Sequence, residues 1–78
     1  MKNKENMNEK FVKNIISKIL KIDKKKISLK LRLGDVVEWD SLAHLQIFME
    51  LKKKYKKINL NSAAKVKSIN DWIKLIND

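Results

Sequence analysis

Asp40, Ser41 and Leu42 form the constellation in this 78-residue chain that chemistry can use most directly. A carboxylate and a hydroxyl ahead of an apolar helical run place the aspartate at an N-cap and the serine where loop becomes helix. At such a junction, unpaired backbone N–H groups and the positive end of the helix dipole favour a phosphate on the hydroxyl by roughly 0.3–1 kcal/mol. Leu42 is expected to bury and hold the helix start rigid while Ser41 stays in solvent. Taken alone, the Asp-Ser pair reads as a simple helix cap. Ser28, Ser62 and Ser68 lack both the preceding aspartate and the following leucine, and Ser68 reads as a cap of its own. A competing use of Ser41 is as a hydrolytic nucleophile, with His44 approaching it across one helical turn. Hydrolysis also needs an orienting third group, an oxyanion site and a cleft, for which so small a chain has little material. No catalytic residue is therefore assigned, and His44 is read as a surface residue beside the serine.

The elements that must position these residues are bounded by composition. A chain of this length makes one domain, and with no cysteine and one histidine it has neither disulfides nor a metal cluster to brace it. Its stability must come from one shared core, in which each fully buried Leu, Ile, Val, Phe or Met contributes roughly 1.5–3 kcal/mol. With no proline and one glycine, Gly34, helix is permitted almost throughout. No apolar run reaches the length of a bilayer span and the opening residues lack a secretory pattern, so the reading is cytoplasmic without stable membrane insertion.

Periodicity predicts an all-α four-helix bundle with three longer helices, one short helix and a long first loop. Phe11, Ile15 and Ile19, with Val12, Ile16 and Leu20, recur at spacings of four and define a helix from about Asn8 to Lys21. Residues 1–7 read as a disordered N-terminal extension, with Met1 or Met7 as the natural start. Residues 22–38 alternate Ile27, Leu29, Leu31 and Leu33 with Ser28, Lys30 and Arg32, the period of a strand. No second strand of that quality accompanies them, so an extended loop packing alternate side chains onto the helices is expected. A helix over 42–55 puts Leu42, Leu45, Phe48, Met49, Leu51 and Tyr55 inside and Ala43, Gln46, Glu50, Lys53 and Lys54 on a narrow outer strip. One or two turns follow after Asn61. The last helix starts at a Ser68 cap, with Asp71 in a capping-box position and Ile69, Trp72, Ile73 and Ile76 facing the core.

Quoted in order, "GDVVEWDSLAHLQIFMELKKKYKKINLNSAAKVKSINDWIKLIND" resembles the second half of an acyl carrier protein. Asp40, Ser41 and Leu42 match that family's Asp-Ser-Leu motif, and "SINDWIKLI" resembles its closing helix; the resemblance in helix order covers about residues 8–76, making 8–78 the carrier domain. It implies that Ser41 receives phosphopantetheine from coenzyme A, whose thiol then carries an acyl or aminoacyl group as a thioester, and that the carrier itself is no enzyme. It implies that Asp40 helps a phosphopantetheinyl transferase engage the serine. Further implied partners are an acyl- or aminoacyl-loading ligase and downstream transferases, met by a monomer through its central helix and preceding loop. Trp39, Ala43, His44, Gln46, Ile47 and Glu50 are the candidate contacts. Ile47, at the edge of the apolar face, reads as core, with the lining of an acyl pocket as its alternative.

From Leu33 to Leu51 the chain holds Asp35, Glu38, Asp40 and Glu50 and no lysine or arginine, a local charge of −4 within a formal +10. Such an island suits the resemblance, because carriers commonly dock through acidic residues that steer encounter with a basic partner. The outer strip of the central helix departs from the family: Ala43, Gln46, Lys52 and Lys53 stand where carboxylates are usual. With Trp39 ahead of the motif, this implies a dedicated partner set in a specialised pathway. The alternative function is a small basic module binding nucleic acid or an acidic protein, built on "DKKK" and "KKKYKK". Lysines at a helix C-terminus complement its dipole and Tyr55 falls on the apolar face, so no nucleic-acid interface is expected.

Overall fold

The computed structural model describes residues 7–77, with side chains from Asn8 onward. The predicted extension lies outside this range, except that Met7 already begins the first helix. Four helices follow in order: α1, Met7–Leu20; α2, Ser41–Lys54; α3, Leu60–Ala64; and α4, Ile69–Asn77; a single 3-10 turn at Lys24–Lys26 interrupts the first loop. The protein is all-α, with no strand among the described residues and no helix long and apolar enough to cross a membrane.

α1 packs on both α2 and α4. Its start lies at their C-terminal ends: Asn8 Nδ2 donates to Asn77 Oδ1 at 2.6 Å, Tyr55 Oη donates to Asn8 Oδ1 at 2.7 Å, and the Phe11 and Tyr55 rings meet edge to face at 5.8 Å. α1 therefore runs antiparallel to both, and its last turn brings Ile19 beside Gln46 and Met49. There Lys21 adopts a left-handed φ of 59° and Ile22 N–H bonds back to Ser17 C=O at 3.2 Å, closing the helix without a glycine.

The alternating segment does not form a strand, and its backbone finds another partner. The first-turn N–H groups of α4 have no acceptor inside their own helix. Ile69 N–H donates to Leu31 C=O and Asn70 N–H to Leu29 C=O, both at 3.0 Å, while Leu33 N–H donates to Lys67 C=O at 2.9 Å. Asp71 N–H takes the Ser68 Oγ cap at 3.1 Å and Trp72 N–H the Ser68 C=O at 3.3 Å, so the start of α4 is fully satisfied. Asp71 Oδ2 accepts from Lys67 N–H rather than from the cap residue, a variant of the predicted box. The pairing holds the loop in register, with Ile27 buried, Leu29, Leu31 and Leu33 half-buried, and Ser28, Lys30 and Arg32 outside.

Gly34, at φ 93°, turns the loop toward α2 in a conformation that side chains with a Cβ rarely adopt. Its N–H meets Trp39 C=O at 3.3 Å and Trp39 N–H meets Val36 C=O at 3.1 Å, closing a tight turn that delivers Asp40 and Ser41.

Candidate functional site

Ser41 is the first residue of α2 and is exposed. Asp40 is the N-cap in extended conformation: its Oδ1 accepts from Ala43 N–H at 2.9 Å and its carbonyl accepts from His44 N–H at 2.9 Å. Ser41 and Leu42 N–H have no acceptor among the described residues. The two helix starts thus differ: α4 spends every first-turn donor on its own chain, whereas α2 leaves two N–H groups pointing to solvent beside an exposed hydroxyl. A phosphodiester on Ser41 fits this arrangement, because it would meet two free donors and the positive end of a 14-residue helix. The Asp40 carboxylate, turned back into the helix, holds that geometry open.

Behind the serine the helix start is anchored by a polar bridge that the sequence does not announce. Trp39 Nε1 donates to His44 Nδ1 at 3.1 Å, and His44 Nε2 lies 2.9 Å from Ala63 C=O. Since Nδ1 must accept, the hydrogen resides on Nε2 and is donated to Ala63, which makes the ring the neutral Nε2–H tautomer. The imidazole stacks on Trp39, with centroids 6.0 Å apart and planes at 18°, and lies 4.9 Å from the Trp72 ring. Loop, α2, α3 and α4 therefore converge on one side chain. Both His44 nitrogens are engaged, so neither serves as a base for Ser41 Oγ.

Several expected contacts move accordingly. Trp39, Ala43 and Ile47, candidates for partner contact, are enclosed at 1%, 7% and 0% exposure, and His44 is a half-buried strut rather than a surface residue. Ile47 belongs to the core. Gln46 is exposed and Glu50 half-buried, paired at 3.0 Å with Lys53. Leu42, expected to bury, is 65% exposed, as are Leu45 at 43% and Met49 at 56%. The inner face is the row Ala43, Ile47 and Leu51 with Phe48 beside it, a rotation of about one residue, or 100°, from the predicted face. Apolar residues cover too much of α2 for one face to hold them all. The choice fell to the face that lets Trp39 and His44 close over Trp72, with Ala43 small enough to admit them. Lys54, expected on the outer strip, instead lies over the Phe11 ring at 4.4 Å.

Leu42, Leu45 and Met49 thus form an outward column running from Ser41, and sequence reasoning missed it as a surface. The spacing of four in Ala43, Ile47 and Leu51 was the available signal.

Comparison of the chain with protein-family models and with curated proteins yields no match.

Proposed function

We propose that this protein is an acyl-carrier-type bundle whose Ser41 is the attachment point for phosphopantetheine. The observation that carries the reading is an exposed hydroxyl at the first residue of a long helix, flanked by two unpaired backbone N–H groups and backed by a rigid cap. The element order, with a long loop before α2 and a short α3 before a capped α4, supports it. In the modification, Ser41 Oγ bonds to the phosphorus of coenzyme A that bears the pantetheine and gives up its proton, and adenosine 3′,5′-bisphosphate departs with the cleaved P–O bond. Once attached, the group supplies a thiol that holds an acyl or aminoacyl cargo as a thioester. The chain's own part is positional. Asp40 fixes the helix start, the Ser41 and Leu42 N–H groups would donate to phosphate oxygens, and the Trp39–His44–Ala63 bridge keeps the platform from fraying. The partners on this reading are a phosphopantetheinyl transferase, a loading ligase and an acceptor transferase.

The test is intact mass after incubation with coenzyme A and a broad-specificity phosphopantetheinyl transferase. A gain of one phosphopantetheine in the wild type and none in Ser41→Ala is expected; an unmodified wild type overturns the reading. A second reading, as an anion-binding module, draws on a cleft of about 200 Å³ lined by Lys10, Lys13, Lys24 and Lys25. Lys24 Nζ is held there by Asn14 Oδ1 at 2.8 Å and Lys13 is paired with Glu9 at 3.5 Å, so half of its cations already have partners.

A further inference from the structure

Resting on the carrier reading, we infer that the outward face of α2 docks a partner protein that meets the serine end with neutral or basic groups and the far end with carboxylates. The face begins with the column Leu42, Leu45 and Met49, spaced three and four residues apart on one side of the helix and left exposed by the described residues. Past Met49 it opens into a shallow groove of about 360 Å³, floored by Phe48 and Met49 and rimmed by Lys52, Lys53 and Lys56.

The charge along this face changes sign. Asp35, Glu38 and Asp40 stand exposed within the six residues ahead of Ser41, in a stretch from Leu33 to Leu51 without lysine or arginine, whereas the groove end is cationic; Asp35 Oδ2 and Asp40 Oδ1 each also accept a backbone N–H of their own turn. At 1.5 Å rise per residue, Lys53 lies about 18 Å along the helix from Ser41. Of the three lysines, Lys52 is committed to the fold, since its Nζ donates to Lys56 C=O at 3.0 Å and to Ile58 C=O at 2.5 Å. Lys53 holds Glu50 through an exposed pair that is readily exchanged, and Lys56 is exposed.

Charge complementarity selects the occupant. A nucleic acid or an anionic membrane laid along the face would meet the Lys53 end favourably and the three carboxylates unfavourably. A protein surface can carry both signs about an apolar centre, and so matches the whole length. The consequence is a partner preference opposite, over the far half of α2, to that of a carrier with an acidic central helix. A partner that is basic throughout is repelled there, and one with a carboxylate rim is retained.

The experiment uses the Ser41→Ala protein, so that its result is independent of modification, and two amphipathic helical peptides with the same leucine face, one flanked by glutamates and the other by lysines. Backbone amide resonances are followed at about 0.15 M salt. The glutamate peptide is expected to shift Leu45, Met49, Lys53 and Lys56, to bind roughly tenfold more weakly to the Lys53→Glu/Lys56→Glu variant, and to outcompete the lysine peptide. A single-stranded oligonucleotide of matching charge is expected to leave Leu45 and Met49 unmoved. The inference is overturned if the glutamate peptide binds the double variant equally well, if its shifts fall on Lys10–Lys25 instead of α2, or if the oligonucleotide reproduces the α2 shifts. Failure here leaves the mass gain at Ser41 intact, and absence of that gain leaves this titration unaffected.

Discussion

Replacing His44 tests the structural account of the site at its centre. His44→Ala removes the acceptor for Trp39 Nε1 and the donor to Ala63 C=O, and Trp39 and Ala63 are both buried. Trp39 Nε1, left without a partner, costs about 1–3 kcal/mol, whereas Ala63 C=O keeps its bond from Val66 N–H at 3.1 Å. Loss of the ring contacts with Trp39 and Trp72 adds to this, about 0.5–1.5 kcal/mol for each aromatic pair. A chain of this size has about 4–12 kcal/mol of stability in total, so the substitution removes a large share of it. His44→Phe keeps a ring in place but restores neither hydrogen bond, and isolates the polar contribution. The assay is urea unfolding followed by the fluorescence of Trp39 and Trp72, which flank the substituted side chain. With a denaturant slope near 1 kcal/mol/M, both variants should lower the midpoint by about 1 M or more, and thermal midpoints should fall by at least about 4 °C. A cost below about 0.5 kcal/mol for both variants, the value typical of a surface position, would refute the bridge and return His44 to solvent.

The rotation of α2 makes an ordered pair of predictions: Ile47→Ala should cost about 2–5 kcal/mol as a fully enclosed side chain is truncated, whereas Met49→Ala should stay within about 0.5 kcal/mol. Chemical denaturation of both variants checks this, and the reverse order would mean that the other face is inside. Partial burial holds the Tyr55 phenol above its ordinary value of 10.0. Its neutral form is therefore favoured in the folded state, and the stability this contributes is present below pH 10 and lost as pH rises through the folded value. Tyrosinate absorbance should show a higher midpoint in buffer than in denaturing urea; coincident midpoints would contradict the placement of Tyr55 against α1.

Much of the fold was legible locally because local terms decide it. The spacing of four in α1, the absence of proline, and the Asp40 and Ser68 caps set helix positions to within a residue or two, and a cap acts through backbone atoms only two or three residues away. The alternation over Ile27–Leu33 was real, but what satisfied it was the start of α4, more than thirty residues on, and no local pattern names that partner. Ser41 at a helix start was readable for the same reason as the caps: it depends on where α2 begins, and Asp40 decides that.

The amino-acid sequence by itself determined that this chain is helical, where the three longer helices begin to within a residue, and that a serine stands at the head of the central one. Only the tertiary structure decided which side of that helix faces in. With apolar residues around more than half its circumference, several rotations bury similar area, and the hydrophobic effect has no direction with which to choose among them. Hydrogen bonds and ring contacts do have direction. Trp39, His44, Ala63 and Trp72, drawn from four separate elements, fit together in one rotation of α2, and that rotation leaves Leu42, Leu45 and Met49 in solvent.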